Sequence, residues 1–281
     1  MKPREQIIAW RAHAPWVNDA QVEQDLLLAQ AMVAIFQDSF LSEQVAMRGG
    51  TVLHKLHLAP ASRYSEDIDL VLVGGRPFNH VEKALVRVLE PILGQPTERL
   101  WQAVQLAVRN FAQPSKIRRL VYRYTPTVAP PGEMKIKIEV NYSEVNPCYP
   151  VTSMSYRPPL PNLGAEVTIR SYHLDEMLGT KMRALLQRDQ GRDLFDLDRA
   201  CLRLEADAGF FDPQRTVAAF SQYMQQEGSH FSRKDYAARL MAKCHLPGFR
   251  NDMAKVLAAG TPFDIDRAAD RVQQILVARL D

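Results

Sequence analysis

The order of apolar and polar positions changes character along this chain. In the first half, short stretches with a period of two indicate strands, of which residues 134–140 (MKIKIEV) alternate most cleanly. Longer stretches at helical spacing predict helices over residues 19–40, capped by Asn18, and over residues 79–93. Further strands are predicted at residues 45–47, 64–71, 101–109 and 120–128. Beyond residue 170 only helical patterns are evident, at 171–188, from 192 onward, and at 213–226, 232–242, 248–258 and 264–280.

A proline-rich stretch separates the two halves. Residues 146–164 contain five prolines, and proline interrupts both helices and the hydrogen-bond ladders of sheets. We therefore predict that this stretch has no regular structure. It would mark the boundary between a first domain of residues 1–150 and a helical domain of residues 165–281.

Two carboxylates lie within the strand predicted at residues 64–71. The period of two places Ser65, Asp67 and Asp69 on one face, while Ile68 and Leu70 face the core. Like charges on one face repel each other, and a cation between them removes that repulsion. Hard oxygen ligands suit Mg²⁺, so Asp67 and Asp69 are candidate metal ligands. The structural alternative is a solvated strand face.

A paired glycine precedes that strand. Gly49, Gly50 and Thr51 lie before a helix-like run, and a tight turn at a helix N-terminus presents backbone N–H groups that favour phosphate. A single glycine pair is more often a plain turn. In this order, however, the glycines and the carboxylates together predict a phosphate site that faces a metal site.

Further charged groups accompany this pattern. Glu139 shares the polar face of its strand with Lys135 and Lys137, so it either completes a three-carboxylate set or pairs with charges across the sheet. The densest positive cluster is either a solvated hairpin rim or a contact surface for RNA or nucleotide phosphates. It consists of Arg109, Lys116, Arg118, Arg119 and Arg123.

A second constellation lies in the helical half. Lys181 and Arg188 are seven positions apart and would share one helical face. Arg192, Asp193 and Asp196 would cluster if the next helix begins there. Cations in such a cluster can neutralise the charge of a leaving pyrophosphate. The alternative is an ion-pair network that fastens two helices together.

Composition restricts the class of protein. The 281 residues are 46% apolar and 24% charged, as in an ordinary globular protein, and the net charge of +3 permits a nucleic-acid partner without requiring one. Cys148, Cys201 and Cys244 are scattered, which favours a reducing compartment over a zinc site or disulfide framework. No signal core or membrane-length apolar run is present, so we expect a cytoplasmic protein without membrane association.

Four blocks of the chain, in their order, are similar to a known family. They are Arg48–Lys55, Arg63–Leu70, Lys181–Arg188 and Arg192–Leu197. Over roughly residues 45–200 the chain resembles the AbiEii/AbiGii toxins, nucleotidyltransferase-like toxins of type IV bacterial toxin–antitoxin and phage-defence systems related to the mycobacterial MenT toxins. The resemblance implies an α+β fold. A DNA-polymerase-β-like nucleotidyltransferase core with a mixed sheet would be followed by a C-terminal α-helical domain.

The resemblance also implies roles for the matching residues. The nucleotide-binding residues would be Gly49, Gly50, Thr51, Ser65, Lys181, Arg188 and Asp193. The catalytic residues would be Asp67, Asp69, Lys181, Asp196 and, as a weaker transfer, Glu139, with Mg²⁺ held by Asp67 and Asp69. The chain departs from the superfamily pattern in the long interval between Gly50 and Asp67 and in having Thr51 where serine is frequent. These departures leave open which hydroxyl group would contact the phosphate.

The implied activity is Mg²⁺-dependent transfer of a nucleoside monophosphate from an NTP to an RNA acceptor. The tRNA 3′ end is the leading acceptor, and its extension would block translation. A cognate antitoxin would be encoded next to the toxin, and the active site would lie between the two domains. Two alternatives remain open: a nucleotidyltransferase that modifies a small molecule or a protein hydroxyl, and a non-catalytic binding protein.

Overall fold

The computed structural model describes residues 4–104, 115–128 and 132–281 of the chain. The described part forms two compact units. The first comprises residues 4–104, 115–128, 132–147 and 151–172, and the second comprises residues 148–150 and 173–281. The domain limits predicted from the sequence, 150 and 165, stay a prediction.

The first unit is built on a seven-stranded mixed sheet with strand order β3-β4-β5-β2-β1-β7-β6. The β1–β7 and β2–β5 pairs are parallel, and the other neighbours are antiparallel. The strands are β1 (Val45–Arg48), β2 (Asp67–Leu72), β3 (Glu98–Val104), β4 (Ser115–Tyr124), β5 (Met134–Asn141), β6 (Thr152–Tyr156) and β7 (Val167–Ser171).

The described residues of this unit include five α-helices and a 3₁₀ turn at Pro161–Leu163. The α-helices are α1 (Arg4–Trp10), α2 (Asp19–Gln37), α3 (Ser39–Gln44), α4 (Gly49–Val52), which continues as a π-helical turn over Leu53–His57, and α5 (Phe78–Leu93). The side chain of Asn18 accepts a hydrogen bond from the backbone N–H of Ala20, which confirms the predicted cap of α2. The helix predicted to run to residue 40 ends at Gln37, because Asp38 caps α3 by accepting from the backbone N–H of Leu41.

The core of the first unit lies on one face of the sheet. Ile68, Leu70 and Ile138 are fully buried there, as the period of two predicts. The opposite face of β2 and β5 carries Asp67 and the other polar residues of the alternation, which remain partly exposed. This division places the charged side chains of two adjacent strands on one accessible surface.

The second unit is helical. Its helices are α6 (Leu174–Gln187), α7 (Gly191–Ala206), α8 (Pro213–Gln226), α9 (Arg233–Cys244), α10 (Pro247–Asn251) and α11 (Ile265–Ile275), with 3₁₀ turns at Asp252–Lys255 and Val277–Arg279. Gly179 allows α6 and α8 to pack closely, because a Cβ at this position would lie 2.8 Å from the carbonyl oxygen of Thr216. Phe195, Phe220 and Tyr236 fill the interior.

Two expectations about the middle of the chain are wrong. The proline-rich stretch contains strand β6, and β7 follows it, so the sheet continues beyond residue 150. Pro150 and Pro158 flank β6 instead of interrupting it, and β6 is an edge strand, where proline is tolerated nearby. Helix α6 begins after His173 rather than Ser171, which ends β7.

The helical spacing of Lys181 and Arg188 is also not realised. Helix α6 ends at Gln187, and Arg188 has the extended backbone conformation of a residue outside the helix. The two side chains therefore do not share a helical face. Their relation depends instead on the turn between α6 and α7.

Candidate active site

Strand β2 presents the two predicted metal ligands beside β5. In the parallel ladder, Asp67 lies opposite Lys137 and Asp69 lies opposite Glu139. On the other side, Asp69 pairs with Arg48 of β1. Both aspartates are partly exposed, as the alternation predicts for the polar face of this strand. The sheet thus brings the predicted third carboxylate next to the predicted pair.

The carboxylate of Asp67 binds a lysine of the neighbouring strand. Lys137 Nζ lies 3.1 Å and 3.2 Å from its two oxygens. Burial raises the pKa of Asp67 from 3.8 to about 6; Lys137 opposes this rise, and the charges of Glu139 and Glu66 add to it. The negative charge of Asp67 is therefore poorly stabilised by the protein alone, which is the state expected of a cation ligand.

Glu139 is engaged by an arginine. Arg119 of β4 donates to its carboxylate at 2.6 Å, through both Nε and Nη2. Within the part of the chain that the structure describes, no three His, Cys, Asp or Glu side chains already converge as a metal site. The donor chemistry of Asp67 and Asp69 fits a hard divalent cation. The role of Glu139 as a third ligand stays a prediction.

The glycine turn lies directly against these carboxylates. Gly49 has φ +81°, and a Cβ there would lie only 1.9 Å from Asp69 Oδ2. A Cβ at Gly50 would lie 2.6 Å from Nη2 of the buried Arg63. Only glycine permits this backbone path and this approach. The start of α4 is thereby held against both an anionic and a cationic side chain.

Two hydroxyls connect the turn to the strand. Thr51 Oγ1 lies 2.5 Å from the carbonyl oxygen of Asp67 and 2.9 Å from Ser65 Oγ. Thr51 is only 1% exposed, whereas Ser65 is partly exposed. The Thr51 hydroxyl therefore fastens α4 to β2, and Ser65 is the hydroxyl that a ligand can reach more easily.

The described members of the densest positive cluster do not form one continuous surface. Arg118 stacks over the ring of Phe78 at 5.1 Å on the helix-covered face, whereas Arg119 lies on the opposite face with Glu139. Arg123 pairs with Glu98 and Glu133. Arg109 lies outside the described residues, as does the side chain of Lys116. The described arginines thus act within ion pairs on both faces, which favours the structural interpretation of this cluster.

The second constellation forms a buried network in the helical unit. Asp193 and Asp196 are fully buried, and Lys181 is 7% exposed. Lys181 Nζ lies 3.2 Å from Asp193 Oδ1 and 2.8 Å from Asp196 Oδ2. Burial alone would raise the pKa of Asp193, but Arg188 and Lys181 hold it below its usual value. Asp193 is therefore stabilised as an anion by cations of the protein, and Asp196 shares one of them, Lys181.

Arg188 is the exposed end of this network. Its guanidinium donates to both oxygens of Asp193, at 2.6 Å and 2.7 Å, while 44% of its side chain remains exposed. Lys243 of α9 donates to the Arg188 carbonyl oxygen at 2.8 Å. Of the three residues predicted to cluster, Asp193 and Asp196 meet at Lys181, whereas Arg192 pairs with Asp252. This difference arises because α10 and its 3₁₀ turn pack beside the start of α7.

Two residues of the first site are not predicted by the sequence pattern. The alternation of β5 shows that Lys137 and Glu139 lie on the same face of the strand. It does not show that β2 is the neighbouring strand, so the contact of Lys137 with Asp67 is not predicted. Arg63 belongs to one of the four family blocks without a predicted role, although its guanidinium packs against Gly50. For Lys137, the signal that the sequence offers is its position on the same polar face as Glu139.

Comparisons with known proteins agree with this geometry. The structure of MenT4, a nucleotidyltransferase toxin from Mycobacterium tuberculosis, is similar, with a TM-score of 0.64 and 16% sequence identity over 100% of this chain and 91% of that chain. At this identity the likeness shows the fold. A comparison with curated protein sequences found no match.

A glycine turn beside a carboxylate strand on a mixed sheet is the arrangement expected of a nucleotidyltransferase, and the family comparison shows that class. Residues 30–276 match the family described as "Nucleotidyl transferase AbiEii toxin, Type IV TA system", and the chain belongs to this family. The predicted family, the α+β fold and the enzyme class are confirmed. Family membership implies an NTP substrate and an antitoxin partner. Every helix in the described ranges is too short or too polar to cross a bilayer.

Proposed function

We propose that this protein transfers a nucleoside monophosphate from an NTP to the 3′ hydroxyl of tRNA, in a Mg²⁺-dependent reaction that blocks translation. The observation that carries the proposal is the contact between the Gly49–Gly50 turn and the Asp69 carboxylate. This contact holds a phosphate-binding backbone beside metal-binding oxygens, as nucleotidyl transfer requires. Membership in a nucleotidyltransferase toxin family supports it.

The triphosphate would be bound at the start of α4. Backbone N–H groups of Gly50 and Thr51 are at the end of a helix that attracts anions, and the Ser65 hydroxyl is the accessible side-chain donor. The buried Arg63 adds positive charge behind this turn. Together these groups would fix the phosphates without a long side chain crossing the site.

Asp67 and Asp69 would hold Mg²⁺. When bound, the ion neutralises charge on the triphosphate and on the leaving pyrophosphate. Asp67 is ionised at neutral pH, since its pKa is about 6. Its carboxylate is therefore available as a ligand under cellular conditions.

The acceptor hydroxyl oxygen would form a bond to the α-phosphorus while the bond from that phosphorus to the bridging oxygen breaks. Pyrophosphate leaves, and the hydroxyl proton passes to a carboxylate. Besides the two metal ligands, the resemblance implies two catalytic carboxylates: Glu139 is partly exposed beside Asp69, whereas Asp196 is fully buried with Lys181. We therefore assign the orientation of the acceptor to Glu139.

The helical unit would contribute through Arg188. Its partly exposed guanidinium can offer N–H groups to a phosphate, which Lys181, at 7% exposure, cannot do without breaking two ion pairs. Lys181, Asp193 and Asp196 would position Arg188. The triphosphate contact that the sequence predicted for both cations is thus assigned to one of them.

The decisive experiment incubates the protein with tRNA, each labelled NTP and Mg²⁺, and follows the label on the RNA. Wild type should label the tRNA 3′ end, and Asp69→Asn should not. Glu166→Gln is the matched control, since Glu166 is an exposed carboxylate of the same unit that pairs with Arg157. The control should transfer label at the wild-type rate.

Other outcomes select among the alternatives. If the label appears on a small molecule or a protein hydroxyl and not on RNA, that molecule is the acceptor and the tRNA assignment is wrong. Absence of Mg²⁺-dependent NTP binding in calorimetry with a non-hydrolysable NTP would favour a non-catalytic binding protein. Undiminished nucleotidyl transfer by Asp69→Asn would contradict the assignment of Asp69 as a metal ligand.

The cellular setting follows from the same proposal. A toxin that modifies tRNA acts in the cytoplasm, and a role in phage defence is consistent with its family. We propose that its antitoxin is encoded by the adjacent gene. Expression of the toxin alone should stop growth, and co-expression of the adjacent gene product should restore it; growth arrest that persists would contradict this assignment.

A further inference from the structure

Lys137 occupies a specific place in the carboxylate site. Its ammonium contacts both oxygens of Asp67, at 3.1 Å and 3.2 Å, from the directly opposite position of a parallel ladder. The lysine side chain is 20% exposed and that of Asp67 is 26% exposed, so solvent screens the contact only in part. A cation thus already lies against the oxygens that the proposed function assigns to the metal.

The other carboxylate on the same face of β5 does not offer Lys137 an alternative. Glu139 is two positions further along the strand, and its carboxylate is held at 2.6 Å by Arg119. If Lys137 leaves Asp67, its ammonium would therefore be able to pair with a partner supplied by a ligand, as well as with water. A nucleotide triphosphate is such a partner, because its charge exceeds what one divalent cation neutralises.

We propose that Lys137 is a stand-in cation that couples metal binding to nucleotide binding. In the free protein it offsets part of the charge of Asp67. When a divalent cation and a triphosphate bind together, the cation takes its place at this carboxylate and the ammonium moves to the triphosphate. This inference rests on the proposed function, since it assumes that Asp67 is a metal ligand. It assigns Lys137 a positioning and regulatory role: the free protein binds metal weakly, and a nucleotide strengthens that binding.

The test measures metal binding rather than activity. Mn²⁺ is titrated at about pH 8, well above the ordinary pKa range of carboxylic acids. Free Mn²⁺ is followed by electron paramagnetic resonance with and without a non-hydrolysable NTP. In wild type, the nucleotide should tighten Mn²⁺ binding by about tenfold, within the usual range of coupling between two ligands. Lys137→Met should tighten nucleotide-free Mn²⁺ binding by about tenfold and reduce the coupling, because the competing ammonium is gone.

Three further variants control the experiment. Lys137→Arg keeps the charge and should retain weak nucleotide-free Mn²⁺ binding. Lys135→Met removes a lysine from the same face of the same strand and should behave as wild type. Lys137→Gln replaces the methionine variant if that protein does not fold, as judged by circular dichroism, and should also tighten nucleotide-free Mn²⁺ binding.

The outcomes separate this inference from the proposed function. Unchanged Mn²⁺ affinity and unchanged coupling in both neutral Lys137 variants would overturn the stand-in role while leaving the metal site intact. By contrast, if wild type with nucleotide binds Mn²⁺ no better than Asp69→Asn with nucleotide, the proposed metal site itself fails.

Discussion

The two charged clusters of this protein contain the same kinds of residue in different electrostatic states. The strand cluster consists of Asp67, Asp69, Lys137 and Glu139. In it, Asp67 is partly exposed, and burial raises its pKa to about 6 despite its contact with Lys137. In the helical cluster, Asp193 is fully buried, yet Arg188 and Lys181 hold its pKa below the usual value. The protein thus stabilises the negative charge of Asp67 only in part, whereas it stabilises that of Asp193 with two cations.

This difference is the one expected if the strand residues form the proposed metal site and the helical residues mainly hold Arg188 in position. A carboxylate that the protein stabilises poorly gains most from an added cation, as the metal ligands of a nucleotidyltransferase must. A buried carboxylate with matched cations gains little from a ligand and loses much when a partner is removed. Substitutions in the two clusters should therefore affect different properties.

The largest effect is expected for Asp69→Asn in the strand cluster. Loss of a metal-ligating charge should reduce nucleotidyl transfer by about 1,000-fold, which corresponds to about 4 kcal/mol of transition-state stabilisation. Single-turnover kinetics with labelled NTP would measure this change in a variant shown to be folded by circular dichroism. A loss of less than tenfold would place the metal elsewhere.

Lys181→Met should act mainly on stability. It removes the ammonium that lies 3.2 Å from Asp193 and 2.8 Å from Asp196, and breaking a buried ion pair on one side costs about 3 kcal/mol. Urea denaturation would measure this loss against Lys234→Met, which removes an exposed lysine at the start of α9. Wild-type stability combined with lost transfer would instead show that Lys181 acts in catalysis.

Asp67→Asn should change the pH dependence of stability. The ordinary pKa is 3.8 and the folded value is about 6, so the contribution of Asp67 is fully present below the lower value and is lost as the pH rises through the upper one. Asparagine does not ionise, so the variant does not lose this stability as the pH rises. The unfolding free energy of the variant, relative to wild type, should therefore rise by on the order of 2 kcal/mol between about pH 4.5 and about pH 8. A pH-independent difference in urea denaturation would contradict the raised pKa.

The smallest stability change is expected for Gly49→Ala. The positive φ and the close approach to Asp69 should cost about 1–2 kcal/mol, with a loss of transfer because the turn must move away from the carboxylate. Gly75→Ala is the control, since Gly75 also has positive φ but no atom lies within 4 Å of the position that its Cβ would occupy. Equal transfer rates in the two alanine variants would show that the close approach is not needed for catalysis.

Local patterns were sufficient where neighbouring residues alone decide the outcome. The period of two placed Ile68 and Leu70 in the core and Asp67 on the polar face, because alternation is a property of any extended strand. The Asn18 cap was predictable for the same reason: its side chain bonds to a backbone group two residues away. The order of four short blocks was sufficient to predict the family.

The sequence by itself therefore determined the family, the fold class and the face on which each candidate carboxylate lies. Only the tertiary structure decided which cation each carboxylate receives. The parallel pairing of β2 with β5 brought Lys137 to Asp67, and the end of α6 at Gln187 turned Arg188 onto Asp193. Such contacts join residues on separate segments, and strand order and helix ends depend on the packing of the whole unit. The Gly49–Asp69 approach has the same origin, since its two residues meet only when β1 and β2 pair.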